Sequence, residues 1–524
     1  MAEPVGLSVQ MCAPRAHTYS YQLLAICYLL APSGQRKNDT LKLEIVLKKA
    51  YNTVIMKILN QQIFENREAA ALPGLMESGG LPALVSGLSG IHRVNLAAAL
   101  YERLELPLLI VCPDDSAAES FSRDLEAMTG EKVNTLYSRD FTFYSSLAAS
   151  REAEQKRLYV LNALRCGESP LTVATVSALM QRTIPPQTLI KAAFTVKDGE
   201  SCPPEELERA LVRCGYTRCE QVEGAGQFSR RGGIIDFFSP SYPEPVRIEF
   251  WGDDIDSMGF FDVKTQRRTE SVEACRILPA AESLATLATG GTEALTEALT
   301  AAADKCSRHK SSQQLRELEQ TLRTDIERLR QNIKLEYADR YMPFLYEKAS
   351  GADYIPEEAI IFLDQPPRCA DRAKGFAKQL GDDLSELVKG GMVATDAPSF
   401  RISWDELTNV LSEHALYMAD AFTVGRYPVE PKTLVSIPAK QLPSYAGSVK
   451  TAAEDVSAYL KQGFRVVVLA GDMRRAELLQ SFLKDSGIVA YVREKLERLP
   501  EEGGCTISVG GMSAGMEYPA ARLA

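Results

Sequence analysis

The stretch ALVSGLSGIHRVNLAAAL at residues 83–100 reads as an apolar strand, a glycine turn and the opening of an apolar helix. Ala83–Ser86 is the strand, Gly87 and Gly90 bracket the turn, and residues 94–104 have helical composition. The same alternation runs on from there. Leu108–Cys112 (LLIVC) is a buried strand that ends at Pro113-Asp114-Asp115, whose carboxylates cap a helix at 117–128. Residues 132–136 form a strand, 151–164 a helix with one apolar face, and Leu171–Thr175 another strand. Strands alternating with helices imply a parallel sheet covered on both faces, so the fold class is α/β.

Beyond Pro185-Pro186 the pattern changes. Residues 202–214 form one amphipathic helix. Short β-rich runs then follow at 227–229, 233–238, Val246–Trp251 and 255–261, separated by Gly, Pro and Asp turns. This reads as a small antiparallel α+β insertion that closes at Ile277-Leu278-Pro279. Leu315, Leu318, Leu322, Ile326, Leu329 and Ile333 fall on one helical stripe. The stripe suits a helix packed on its own domain better than a coiled coil, because fewer than three heptads are sustained. After Ser403-Trp404 a second small α/β unit is expected, with helices at 448–462 and 474–485 and strands at 465–469, 488–492 and 506–509.

Bulk properties bound the function. A chain of 524 residues predicts several domains, and a formal charge of −10 disfavours a protein coated in basic surface for nucleic acid. Eleven cysteines without a CxxC pair suggest scattered core thiols in a reducing cytoplasm, and no metal site. No apolar run approaches the roughly 18–20 residues that span a bilayer. Residues 21–30 (YQLLAICYLL) could pass for a weak signal peptide, but residues 1–55 are read as a leader, disordered or before the true start at Met56.

Two motifs bear on catalysis. The 87–94 corner stands where a phosphate-binding loop GxxxxGK[ST] belongs, between a strand and a helix. Gly87 and Gly90 are present, but the last three positions of the pattern hold His92, Arg93 and Val94. Val94 has no hydroxyl for magnesium, and Arg93 keeps a positive charge but not a lysine's shape. Alone, this is any strand-turn-helix corner. A second apolar strand, residues 360–363, ends in Asp364-Gln365, where a motor would have Asp-Glu. Asp364 could order a metal ion, but Gln365 cannot accept a proton from water. Two such motifs in the right order read as one decayed nucleotide site, with Gly87 and Asp364 expected at neighbouring strand ends.

Residues 224–256 read GAGQFSRRGGIIDFFSPSYPEPVRIEFWGDDID, and 261–280 read FDVKTQRRTESVEACRILPA. They resemble the UvrB interaction domain shared by UvrB and the bacterial transcription-repair coupling factors (Mfd). Gly226, Phe228, Arg231, Gly232, Asp236 and Phe238 carry the first half of that pattern. Val246, Arg247, Glu249, Gly252 and Asp253 carry the second. The ending DxxTQRxxExVxxxxILPA, REAEQKRLYVLNAL at 151–164 and YIPEEAIIFLD at 354–364 are similar to the coupling factors rather than to UvrB.

The resemblance implies a degenerate P-loop helicase-like parallel sheet domain with an inserted UvrB interaction domain. It implies a first segment at 56–180, the insertion at 181–280, a second segment at 281–400 and the small α/β unit at 401–524. It also implies that the insertion binds the damage-recognition protein UvrA, through Arg218, Phe228, Arg231 and Glu249. Ser229 replaces a further arginine of UvrB. No cofactor is expected here; ATP and magnesium belong to a motor that the whole family carries elsewhere, and RNA polymerase and double-stranded DNA engage through other domains. The expectation is a UvrA-recruiting module without catalysis, cytoplasmic and not in a membrane. The competing reading is an active UvrB-like helicase subunit of the excision nuclease. A nucleic-acid-binding module is a third, which the acidic balance and lack of stacking aromatics disfavour.

Overall fold

The computed structural model describes residues 56–143, 151–308, 312–393, 400–423, 425–445, 447–493, 496 and 498–524. The expected leader lies outside them.

Four strands open the main sheet: β1 (Ala83–Ser86), β2 (Leu108–Cys112), β3 (Asn134–Leu136) and β4 (Leu171–Thr175). The insertion supplies β5 (Phe194–Lys197), β6 (Thr217–Arg218), β7 (Gln227–Arg231), β8 (Ile234–Phe237), β9 (Val246–Trp251), β10 (Asp254–Phe261), β11 (Arg268–Ser271) and β12 (Ala274–Ile277). The chain then returns with β13 (Ile360–Asp364), β14 (Ala415–Ala419) and β15 (Thr433–Ser436). The main sheet has seven strands in the order β15-β1-β14-β13-β2-β4-β3, all parallel.

Alternation explains why β2 and β13 are apolar throughout. Leu109, Val111, Ile361 and Leu363 enter the core on one face, while Leu108, Ile110, Ile360 and Phe362 enter the core on the other. One face is covered by α1 (Gly90–Leu104) and α2 (Asp115–Thr129), the latter capped by the Asp114 carboxylate accepting from the Ala117 amide. The other is covered by α3 (Arg151–Arg165), by the hairpin of α5 (Gly291–Ser307) and α6 (Gln313–Arg330), and by α7 (Pro366–Lys389) and α8 (Trp404–Glu413). The leucine stripe of α6 packs on this domain: Leu318, Leu322, Ile326 and Leu329 are buried in the same core as Leu295 and Leu299 of α5. Ile333 lies beyond the helix end and is exposed.

The insertion has a core of its own. Its six-stranded sheet runs β11-β10-β9-β8-β7-β6, and β5 pairs with β12 as a ribbon at its base. Helix α4 (Pro204–Arg213) lays Leu207 and Leu211 against Phe228, Ile235, Phe237 and Ile248 on one side of that sheet. The remaining unit holds a ribbon of β16 (Lys440–Gln441) with β20 (Met516–Glu517). Its parallel sheet runs β17 (Val466–Ala470), β19 (Cys505–Val509), β18 (Ala490–Arg493), beside α9 (Val449–Lys461) and α10 (Met473–Asp485).

Two expected boundaries shift. A break at 400/401 is wrong, because β14 and β15 belong to the main sheet, on either side of β1. Their apolar runs are short, so the sequence alone does not tie them to β1. The break at 180/181 moves to about 193, since Ile184 and Leu189 are buried in the main core. Gly87 and Asp364 share one sheet, but not on neighbouring strands: β14 stands between β1 and β13.

Candidate functional site

The corner after β1 is filled by the protein itself. Gly87 has φ +86, and a Cβ there would collide with the Ile437 carbonyl, which is why glycine stands at this position. The Gly87 amide donates to the Ala421 carbonyl at 3.3 Å and the Leu88 amide to Asp420 at 3.4 Å. Gly90 opens α1. Arg93 Nε meets Asp364 Oδ1 at 2.5 Å, and its Nη1 donates to the Leu88 carbonyl at 3.1 Å. Both partners are buried. Burial raises the Asp364 pKa, and the Arg93 charge opposes that rise. Val94 packs in the core. Gln365 sits in the left-handed region at φ 52, donates its amide to Ala419 and accepts from Arg368.

His92 is fully buried, sharing a 2.6 Å hydrogen bond between its Nδ1 and the Ser89 hydroxyl. Its ring meets Tyr518 edge-on at 5.0 Å, and Tyr518 donates from its hydroxyl to Asn95 Oδ1 at 2.6 Å. Burial lowers the His92 pKa from its ordinary 6.5 to about 4. The C-terminal segment around Tyr518 thus packs over the start of α1. None of these coverings is local in sequence, so the motif alone does not reveal them.

The insertion sheet has two unlike faces, set by strand register. Arg218 is register-paired with Phe228 and shares its side, toward α4. There Arg218 Nη1 meets Glu208 at 2.8 Å, and Arg230 meets Glu205 and Glu208. Phe228 lies at the centre of the core with no exposed surface. The expectation that Phe228 lines a docking surface is therefore wrong: an aromatic on the helix side of this sheet is core. Arg231 is on the opposite, open side, so Arg218 and Arg231 do not form one flat patch. A partner touching both must wrap the β6 edge.

On the open side one register row holds Ser229, Asp236, Arg247 and Gly259, and the next holds Arg231, Ile234, Glu249 and Ser257. Asp236 accepts both arms of Arg247, at 2.7 and 2.9 Å, while Arg247 lies 4.6 Å over the Phe261 ring. Arg231, with 58% of its side chain exposed, reaches Asp236 at 3.7 Å. Arg268 donates to Ser257 at 3.0 Å, and Ser257 donates to Glu249 at 3.2 Å. The Ser229 hydroxyl is buried without a hydrogen-bond partner among the described residues. Trp251, two residues beyond Glu249 on the same face, is 82% exposed. No motif in the sequence marks Trp251 as functional, although the two-residue period Arg247, Glu249, Trp251 marks its face.

An α/β domain with an inserted sheet, antiparallel except for the β6–β7 pair, defines the class. The UvrB interaction domain family matches residues 194–282. The transcription-repair-coupling factor of Bacillus subtilis (strain 168) is 28% identical over 444 residues, 84% of this chain and 37% of that protein. The protein of the same name from Staphylococcus aureus (strain USA300) is 26% identical over 451 residues, with the same coverage of 84% and 37%. The chain therefore spans little more than a third of the length of these relatives. It is similar to the N-terminal region of transcription-repair-coupling factors and carries a UvrB interaction domain. No helix among the described residues is long and apolar enough to cross a membrane.

Proposed function

We propose that this chain is a UvrA-recruiting module of transcription-coupled nucleotide excision repair, with no ATP turnover of its own. The observation that carries the reading is the open face of the insertion sheet. There Arg231 is exposed and Arg268 is bonded to the Ser257 hydroxyl, while Arg247 is closed on Asp236, within the segment that matches the UvrB interaction domain. Exposed guanidiniums suit carboxylates of a protein partner through charge-assisted hydrogen bonds. The face is open among the described residues, and a titration without ATP, DNA or RNA polymerase tests whether it binds as it stands. Polymerase engagement and DNA translocation are assigned to no residue of this chain.

The competing reading is an active helicase subunit, and the corner argues against it. A magnesium nucleotide needs a free lysine, a hydroxyl and a carboxylate base. Here the corner's cation is spent on Asp364, Val94 is core, Gln365 is an amide, and loop amides are bonded to residues 420–421. These residues do not fit the nucleotide. Phosphate release by the purified chain with ATP and magnesium should stay at background. Turnover that disappears in Arg93→Ala would overturn this part of the reading, and a pull-down with cognate UvrA tests the other part.

A further inference from the structure

We infer that Trp251 is the apolar anchor of the docking surface for UvrA, and that UvrA offers an apolar slot for the indole. This rests on the reading of the insertion as a UvrA-docking module. Tryptophan is on average a highly buried residue, so an indole that is 82% exposed is the informative exception. Trp251 ends β9 on the open face of the sheet, in line with Arg247 and Glu249. The Gly233 carbonyl accepts from the Phe250 amide, which places the 232–233 turn and Arg231 at the same end of the sheet. Ile234, in the same register row as Glu249, is exposed there too.

Arg231, Ile234, Glu249 and Trp251 thus form one cluster of an aromatic, an aliphatic, a guanidinium and a carboxylate. Tryptophan and arginine are the residues in which binding energy concentrates at interfaces. Asp254 is register-paired with Trp251 and Arg231 stands two strands away, so charges of both signs flank the indole and its apolar ring sets the contact apart. A rigid indole with two torsions loses little freedom on docking, which favours it as the anchor over the long side chains beside it.

The test is calorimetric titration of cognate UvrA into the full chain as wild type, Trp251→Ala and Trp251→Phe. Loss of the indole should weaken binding about tenfold or more, and the phenyl ring should restore most of it. Thermal unfolding should be the same for all three, since the side chain is outside every core cluster. Wild-type binding matched by Trp251→Ala would overturn the anchor and leave the docking reading standing. No binding by folded wild type would overturn the docking reading and the anchor with it.

Discussion

His92 shows how completely the start of α1 is built into the core. An imidazole with no exposed surface is held neutral, with its pKa lowered to about 4 by burial. The folded pKa lies below the unfolded one, so the contribution to stability is whole above pH 6.5 and is lost as pH falls through about 4. The full effect is on the order of 3 kcal/mol. His92→Phe keeps a ring against Tyr518 and removes the titration. Denaturant unfolding of both proteins between pH 7 and pH 4 should show a smaller loss of stability in the variant, and an identical loss would contradict the buried neutral imidazole. The residue types at 92–94 and 365 were legible in the sequence as departures from a nucleotide-site pattern. What covers them was not, because Ile437, Ala421 and Tyr518 come from distant segments.

At the scale of elements, the chain leaving the insertion is held to the main domain by a buried ionic cluster. Glu282, just past the insertion, lies between Arg139 Nε at 3.0 Å and Arg157 Nε at 3.2 Å, and accepts from the Thr183 hydroxyl. Arg139 also forms two bonds to Asp339, at 2.7 and 2.8 Å, and the Glu282 amide donates to Glu154 at 2.7 Å. These groups come from the loop after β3, from α3 and from the return segment, so the cluster fixes where the insertion leaves the domain. Glu282→Gln would take the carboxylate from buried Arg157, while Arg139 keeps Asp339, and should cost about 3–5 kcal/mol in unfolding free energy. A change below about 1 kcal/mol would show that the cluster does not hold the junction. Strand runs such as Leu108–Cys112 and the leucine stripe of α6 were legible because their periods are local, whereas α5, α7, β14 and β15 were not read. Pairing was not: β14 enters between β1 and β13 through contacts that no local period encodes. For the same reason Phe228 could be seen as a strand residue while its side of the sheet stayed hidden.

At the scale of the whole molecule, an α/β domain carries an inserted sheet whose open face holds arginines and an exposed tryptophan. In the proposed reading, that face is where UvrA docks. Arginine-to-carboxylate pairing implies binding that weakens with salt, since screening grows as the Debye length shortens from about 10 Å at 0.1 M to about 3 Å at 1 M. The most direct measurement is a calorimetric titration of cognate UvrA, without ATP or DNA, into the wild-type chain and into Arg231→Ala at two salt concentrations. The account predicts wild-type binding that falls with salt, and a loss on the order of 2 kcal/mol, roughly thirtyfold, in Arg231→Ala. No heat of binding with well-folded wild type would contradict it.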